Sequence, residues 1–157
     1  MFKKVLVPFD ESEHAQHALQ MAFKLCEGDE PAKVIVLKVA PPMDFDDSTF
    51  EIAARMAGVP QVDKATLDEA RANYMDAHKK EVQEKIEEYF SAIPENIDVQ
   101  IVVKNGRPHD EICEFAKEHE VECIVMGRRG LGAIRAALGS VSSAVLRSTD
   151  LPVLVVK

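Results

Sequence analysis

Met126-Gly127-Arg128-Arg129-Gly130-Leu131-Gly132, running on to Gly139-Ser140, is the stretch whose reading decides the fold. The apolar run Cys123-Ile124-Val125-Met126 precedes it, and Val141, Ala144, Val145 and Ser148 follow it at helical spacing. It therefore links the end of a strand to the start of a helix. Such a link ordinarily takes about two to six residues. This one is longer and holds four of the chain's seven glycines. Glycine lets the backbone reach positive φ and approach a bound group closely. Successive N–H groups can then line a concave nest for oxyanions. Gly139-Ser140 opens a helix whose first amides lack internal acceptors and whose dipole end is positive. Ser140 offers either a hydroxyl donor or an N-cap, and Arg128 and Arg129 bring two positive charges to the same place. The spacing is GxxGxG, not the dinucleotide fingerprint GxGxxG. No Gly-Lys-Ser/Thr follows to make a P-loop. Two readings stand at this point: a phosphate cradle, or a glycine-rich turn that fits a tight strand-to-helix passage.

Working outward, four more β-rich runs accompany residues 123–126, at 5–9, 34–39, 97–103 and 153–156. They are rich in Val and Ile, and most lack clean alternation. That pattern suits strands buried on both faces, as in a parallel sheet. Helical patterns separate them. Ala15, Ala18, Leu19, Ala22, Phe23 and Cys26 make one helical face, with Ser12 as its expected N-cap. A second helix is expected over 66–90, opened by a Thr66/Glu69 capping box and burying Leu67, Ala70, Tyr74, Val82, Ile86 and Phe90. A third starts at Pro108, with Asp110 and Glu111 complementing its dipole and Ile112, Phe115 and Ala116 facing inward. A fourth starts near Ser140. Strands alternating with helices imply an α/β domain with a parallel sheet covered on both faces. The stretch 41–64 fits no element cleanly. It reads as a binding lid or as a variable insertion, with a short helix expected at 48–56.

The chain has 157 residues, enough for one domain. With Lys plus Arg at 19 and Asp plus Glu at 27, the net charge is −8. An acidic surface repels nucleic-acid backbones and anionic lipid, which argues against both as partners. Cys26, Cys113 and Cys123 form no CxxC pair and are read as buried free thiols. The N-terminal apolar run is too short for a secretion signal, and no stretch approaches the roughly 18 apolar residues of a membrane span. A reducing cytoplasm is the expected location. The five histidines are scattered. His14 and His17 share a helical turn and are read as a solvated pair, and no dedicated metal cluster is evident.

Four elements, in order, resemble the universal stress protein family. They are Val7-Pro8-Phe9-Asp10 ending the first strand, Gly106-Arg107-Pro108 before the third helix, the glycines at 127, 130 and 139 followed by Ser140, and the closing Leu151-Pro152-Val153-Leu154-Val155-Val156. Together they cover nearly all of residues 1–157. Between Gly130 and Gly139 lie eight residues; the ATP-binding pattern of the family has one more. The resemblance implies a Rossmann-like open five-stranded sheet of order 3-2-1-4-5. Its first and fourth strands are neighbours whose outgoing loops diverge, and ligands of such sheets bind at that switch point. The ligand implied is ATP, or ADP or AMP, with Mg or Mn carried on the phosphates. By position, Pro8, Phe9 and Asp10 would wall the adenosine, Asp10 accepting from ribose or adenine; a helix-capping role for Asp10 is the other reading. Val39 would offer backbone groups to adenine, and Met126 and Gly127 would flank the ribose. Gly130, Gly139, Ser140 and Val141 would hold phosphate, with Arg128 and Arg129 either assisting or simply solvated. A nucleotide-binding stress sensor or switch ranks first, a non-nucleotide interaction module second, and a slow ATPase third, since hydrolysis needs a residue that positions water and none is evident. The family's edge pairing implies a homodimer through the C-terminal strand.

Overall fold

Valine, isoleucine and leucine fill both sides of the strands, so the sheet needs a helical layer on each face. A computed structural model describes residues 2–41, 52, 56, 58, 63–130 and 138–157. In chain order the elements are β1 (Lys4–Pro8), α1 (Glu13–Cys26), β2 (Ala32–Ala40), α2 (Lys64–Tyr89), β3 (Ile97–Asn105), α3 (Pro108–Glu118), β4 (Cys123–Gly127), α4 (Ser140–Ser148) and β5 (Val153–Val156). Among the described residues the strands form one sheet of order β3-β2-β1-β4-β5, every pair parallel. This is the α/β architecture and strand order expected above.

Alternate strand residues feed two cores. Val5, Val7, Val34, Val36, Cys123 and Val125 pack with α1 and with Val82 and Ile86 of α2. Leu6, Ile35, Leu37, Ile124 and Met126 pack on the other face with Ile112, Phe115 and Ala116 of α3 and Val145 of α4. The buried set of α1 is Ala15, Ala18, Leu19, Ala22, Phe23 and Cys26, the face expected from its spacing. Ser12 caps it, its hydroxyl accepting from the Ala15 amide at 3.2 Å.

The second helix departs from expectation in two respects. It starts at Lys64, and its N-cap is Asp63 rather than Thr66. The Asp63 carboxylate accepts from both the Thr66 amide at 2.8 Å and the Thr66 hydroxyl at 2.7 Å. An anion beside the helix start is the stronger acceptor, so the threonine hydroxyl donates instead of capping. Those bonds, the amide's first, hold the Asp63 carboxyl below its ordinary range. The buried stripe is also shorter: only Val82 and Ile86 are buried, while Leu67, Ala70, Tyr74 and Phe90 are half-buried. Length explains this. The 26 residues of α2 run about 39 Å, whereas the nine of β3 span about 30 Å, so the first turns overshoot the sheet.

The segment 41–64 lies outside the described residues except at Pro41, Ile52, Met56, Gly58, Asp63 and Lys64. Of the helix expected at 48–56, Ile52 and Met56 are described; both are helical and exposed. Among the described residues no helix is long and apolar enough to cross a membrane. Cys26 and Cys123 are buried, but Cys113 is only half-buried, which corrects the expectation of three buried thiols.

Candidate functional site

The site forms where chain leaves the sheet in opposite directions. β1 and β4 are neighbours, yet β1 hands on to α1 on one face and β4 to α4 on the other. Their carboxyl ends therefore part and leave a crevice.

One wall is the turn after β1. The Phe9 amide extends the sheet by donating to the Leu37 carbonyl at 2.9 Å. The ring of Phe9 is buried. Asp10 follows, and its Oδ1 accepts from the Ser12 amide at 3.1 Å and the Ser12 hydroxyl at 2.6 Å. Asp10 thus orients the capping serine and does not itself cap α1. Its Oδ2 points at the glycine loop, because a Cβ placed on Gly130 would come within 2.2 Å of it.

The opposite wall is the end of β4 with the start of α4. A Cβ on Gly127 would sit 2.8 Å from the His14 backbone carbonyl carbon and 2.8 Å from His14 Cβ. Only glycine allows β4 to lie this close to α1. The Gly127 carbonyl accepts from the buried Ser142 hydroxyl at 2.8 Å, and the Gly139 amide donates to the Arg128 carbonyl at 2.9 Å. These two bonds register the first turn of α4 against the strand end. Gly139, not Ser140, is the N-cap, and among the described residues no side chain caps the helix. The first intrahelical bond runs from the Ser143 amide to the Gly139 carbonyl at 2.9 Å. The amides of Ser140, Val141 and Ser142 therefore have no acceptor within the helix, and the positive dipole end faces the crevice.

Between the walls lies a cavity of about 660 Å³. Of the residues singled out in the sequence, Pro8, Phe9, Asp10, Val39, Met126, Gly127, Arg129, Gly130, Gly139, Ser140 and Val141 line it, and Arg128 does not. The backbone of Arg128 is engaged elsewhere, its amide donating to the Val156 carbonyl at 2.7 Å. Both arginines are half-buried rather than solvated. Arg129 Nη2 lies 3.3 Å from His14 Nε2; a guanidinium only donates, so the imidazole nitrogen accepts. His17 turns elsewhere, its Nδ1 lying 3.2 Å from the Lys157 carbonyl. Ala15, Leu37, Pro41, Pro108, Ile112 and Ser142 also line the cavity and were not foreseen there. Ser142 had a legible signal, since it sits two residues past the helix-opening Ser140. Residues 131–137 of the glycine loop lie outside the described residues. Among the described residues no group of three or more His, Cys, Asp or Glu is placed to hold a metal ion.

A model of the universal stress protein family matches residues 1–157. The chain belongs to the universal stress protein family. Universal stress protein MJ0577 of Methanocaldococcus jannaschii is 31% identical over all of this chain and 96% of its own length. Its solved structure superposes with a TM-score of 0.64, covering 100% of this chain and 96% of that one. Universal stress protein YxiE of Bacillus subtilis is 30% identical, with both chains covered in full. A universal stress protein solved in complex with cAMP is 25% identical, with a TM-score of 0.59, covering 99% of this chain and 97% of that one. In this universal stress protein the resembling elements fall on the sheet as the family fold requires. Pro8 ends β1, Pro108 opens α3, Gly127 ends β4 with Gly130 and Gly139 after it, and residues 153–156 form an edge strand.

Proposed function

We propose that the chain binds an adenine nucleotide, ATP foremost and ADP or AMP as alternatives, and acts as a stress-response sensor or switch rather than an efficient enzyme. The observation that carries this reading is the cavity's two unlike walls. One presents the Asp10 carboxylate on an apolar surface; the other presents helix-start amides that have no intrahelical acceptor, beside glycines and Arg129. That polarity suits a ligand with a hydroxyl-bearing, partly apolar end and an anionic end. The volume falls within the roughly 300–1,000 Å³ of small-molecule sites. The relative solved with cAMP supports the same ligand class.

In this reading Pro8, Phe9, Asp10 and Val39 hold the adenosine, Met126 and Gly127 flank the ribose, and Arg129, Gly130, Gly139, Ser140 and Val141 hold the phosphates. Arg128 contributes charge from outside the cavity. A divalent Mg or Mn rides on the phosphates. We further propose a cytoplasmic homodimer paired through β5, whose sheet-edge residue Leu154 is 37% exposed; sedimentation showing monomer alone at micromolar concentration would sink it.

Heat release of bound small molecules from purified protein, followed by calorimetric titration with Mg-ATP, ADP and AMP, tests the reading. Retained or low-micromolar nucleotide, lost in Gly130→Asp, is the expected result. Protein that arrives empty and binds none of the three moves the chain to the interaction-module reading.

A further inference from the structure

Glu11 has φ of 66°. Side chains other than glycine rarely adopt that conformation, and an acidic residue there needs support from its surroundings. Two contacts supply it. The Glu11 carboxylate pairs with Lys38 Nζ, and both side chains are more than four-fifths buried. The Glu11 carbonyl accepts from Gln16 Nε2 at 3.3 Å.

The place of this pair gives it meaning. Glu11 stands between Asp10, whose Oδ2 faces Gly130, and Ser12, whose amide and hydroxyl hold Asp10 Oδ1. Lys38 stands on β2 between Leu37 and Val39, both of which line the cavity. Lys38 itself does not line the cavity, and its ammonium is directed to Glu11. The ion pair therefore ties the neighbouring strand to the one backbone position that relaxation of the β1–α1 turn would change first.

We propose that Lys38 and Glu11 are positioning residues, a clamp that holds the turn after β1 in its left-handed conformation and so aims the Asp10 carboxylate into the nucleotide cavity. The inference rests on the nucleotide-binding reading for its affinity readout, but the conformation of the turn can be followed without ligand. Without the clamp, Glu11 relaxes toward ordinary φ and Asp10 spends less time in place. Apparent affinity falls in proportion to the fraction of molecules still competent, by about five- to thirty-fold for one left-handed residue that is no longer held.

The experiment is a set of variants at two positions, read by Mg-ATP titration and by hydrogen exchange of the Ser12 amide without nucleotide. Lys38→Met and Glu11→Ala are expected to weaken ATP binding and to speed Ser12 exchange. Lys38→Arg is expected to retain both. Glu11→Gly, which removes the same carboxylate but accepts φ of 66° without strain, is expected to bind within about threefold of the wild type. It should also rescue Lys38→Met in the double variant. A plain charge effect gives the opposite sign at position 11, since removing an acid near an anionic ligand would tighten binding. Tighter binding by Glu11→Ala, wild-type behaviour of Lys38→Met in both readouts, or equal loss in Glu11→Ala and Glu11→Gly would each overturn the clamp. If the wild type binds no nucleotide, the functional reading fails. Ser12 exchange then decides the clamp: accelerated in Lys38→Met and restored by Glu11→Gly, or unchanged and refuted.

Discussion

Replacing Gly127 by alanine inserts one methyl group where the structure leaves no room. The new Cβ would stand 2.8 Å from two carbons of His14 and 2.9 Å from its carbonyl oxygen. Ordinary carbon contacts lie at about 3.5–4.0 Å, so α1 must retreat by roughly 0.7–1.2 Å. The obstacle is helix backbone, which cannot rotate aside as a side chain does. Retreat also pulls Ala18, Leu19 and Ala22, each fully buried, off the sheet. Overpacking of this kind costs about 1–3 kcal/mol. At about 2.1 cal/mol/K per residue, a chain of this length unfolds with an entropy near 0.33 kcal/mol/K, so Tm is expected to fall by about 3–9 °C. Differential scanning calorimetry of Gly127→Ala beside the wild type reads this directly. Gly130→Ala is the control. Its Cβ would meet a side-chain oxygen of Asp10, which can swing away at the expense of the Ser12 bonds, so affinity should suffer more than Tm. A Gly127→Ala protein whose Tm stays within about 1 °C of the wild type would refute the packing argument, because even the smallest cost expected gives a larger shift.

Other expectations follow from single contacts. Ser142→Ala removes the 2.8 Å bond to the Gly127 carbonyl; stability should fall by about 1–3 kcal/mol, with ATP affinity falling alongside as the start of α4 loosens. Burial pushes the thiols of Cys26, Cys113 and Cys123 up, so at neutral pH the native protein should react slowly with an aromatic disulfide reagent. Half-buried Cys113 should lead, and all three should react at once only after unfolding; rapid labelling of Cys26 in native protein would contradict the packing. The Asp63 carboxyl is held below its ordinary value of 3.8 by the Thr66 amide and hydroxyl. Its contribution is present above that value and is lost as pH falls through the lowered one. Asp63→Ala should be less stable than the wild type at pH 7 and indistinguishable from it in strong acid, as followed by helical circular dichroism.

How much of this could be read from residue order depended on the local signal each part carries. The face of α1 was legible because small and large apolar residues recur at helical spacing over its whole length and all of them reach the core. α2 was misread in its N-terminal half. A helix that overshoots its sheet keeps apolar residues at Leu67 and Tyr74 that are only half-buried, and two plausible caps three residues apart look alike until geometry chooses the carboxylate. At the site, the glycines announced themselves by crowding into one connection. Pro41, Pro108 and Ile112 did not, because they are ordinary apolar residues brought to the cavity from β2 and α3 by the parallel crossovers. The clamp between Glu11 and Lys38 was invisible for a different reason: nothing in the identity of Glu11 says that its backbone is left-handed.

The bond from the Gly139 amide to the Arg128 carbonyl has an evolutionary side. It fastens the two ends of the glycine loop together at their base, so the residues between form a closed excursion. The start of α4 is then registered to β4 by that fastening and not by counting residues around the loop. Gaining or losing a residue in such an excursion alters only its closure entropy, and even doubling its length costs only about 0.6 kcal/mol. A loop one residue shorter than the family's ATP-binding pattern, as expected from the sequence, is therefore a cheap difference. Lineages can drift in loop length, and a designer can graft a longer segment there, while the edge of the sheet that lines the cavity keeps its shape.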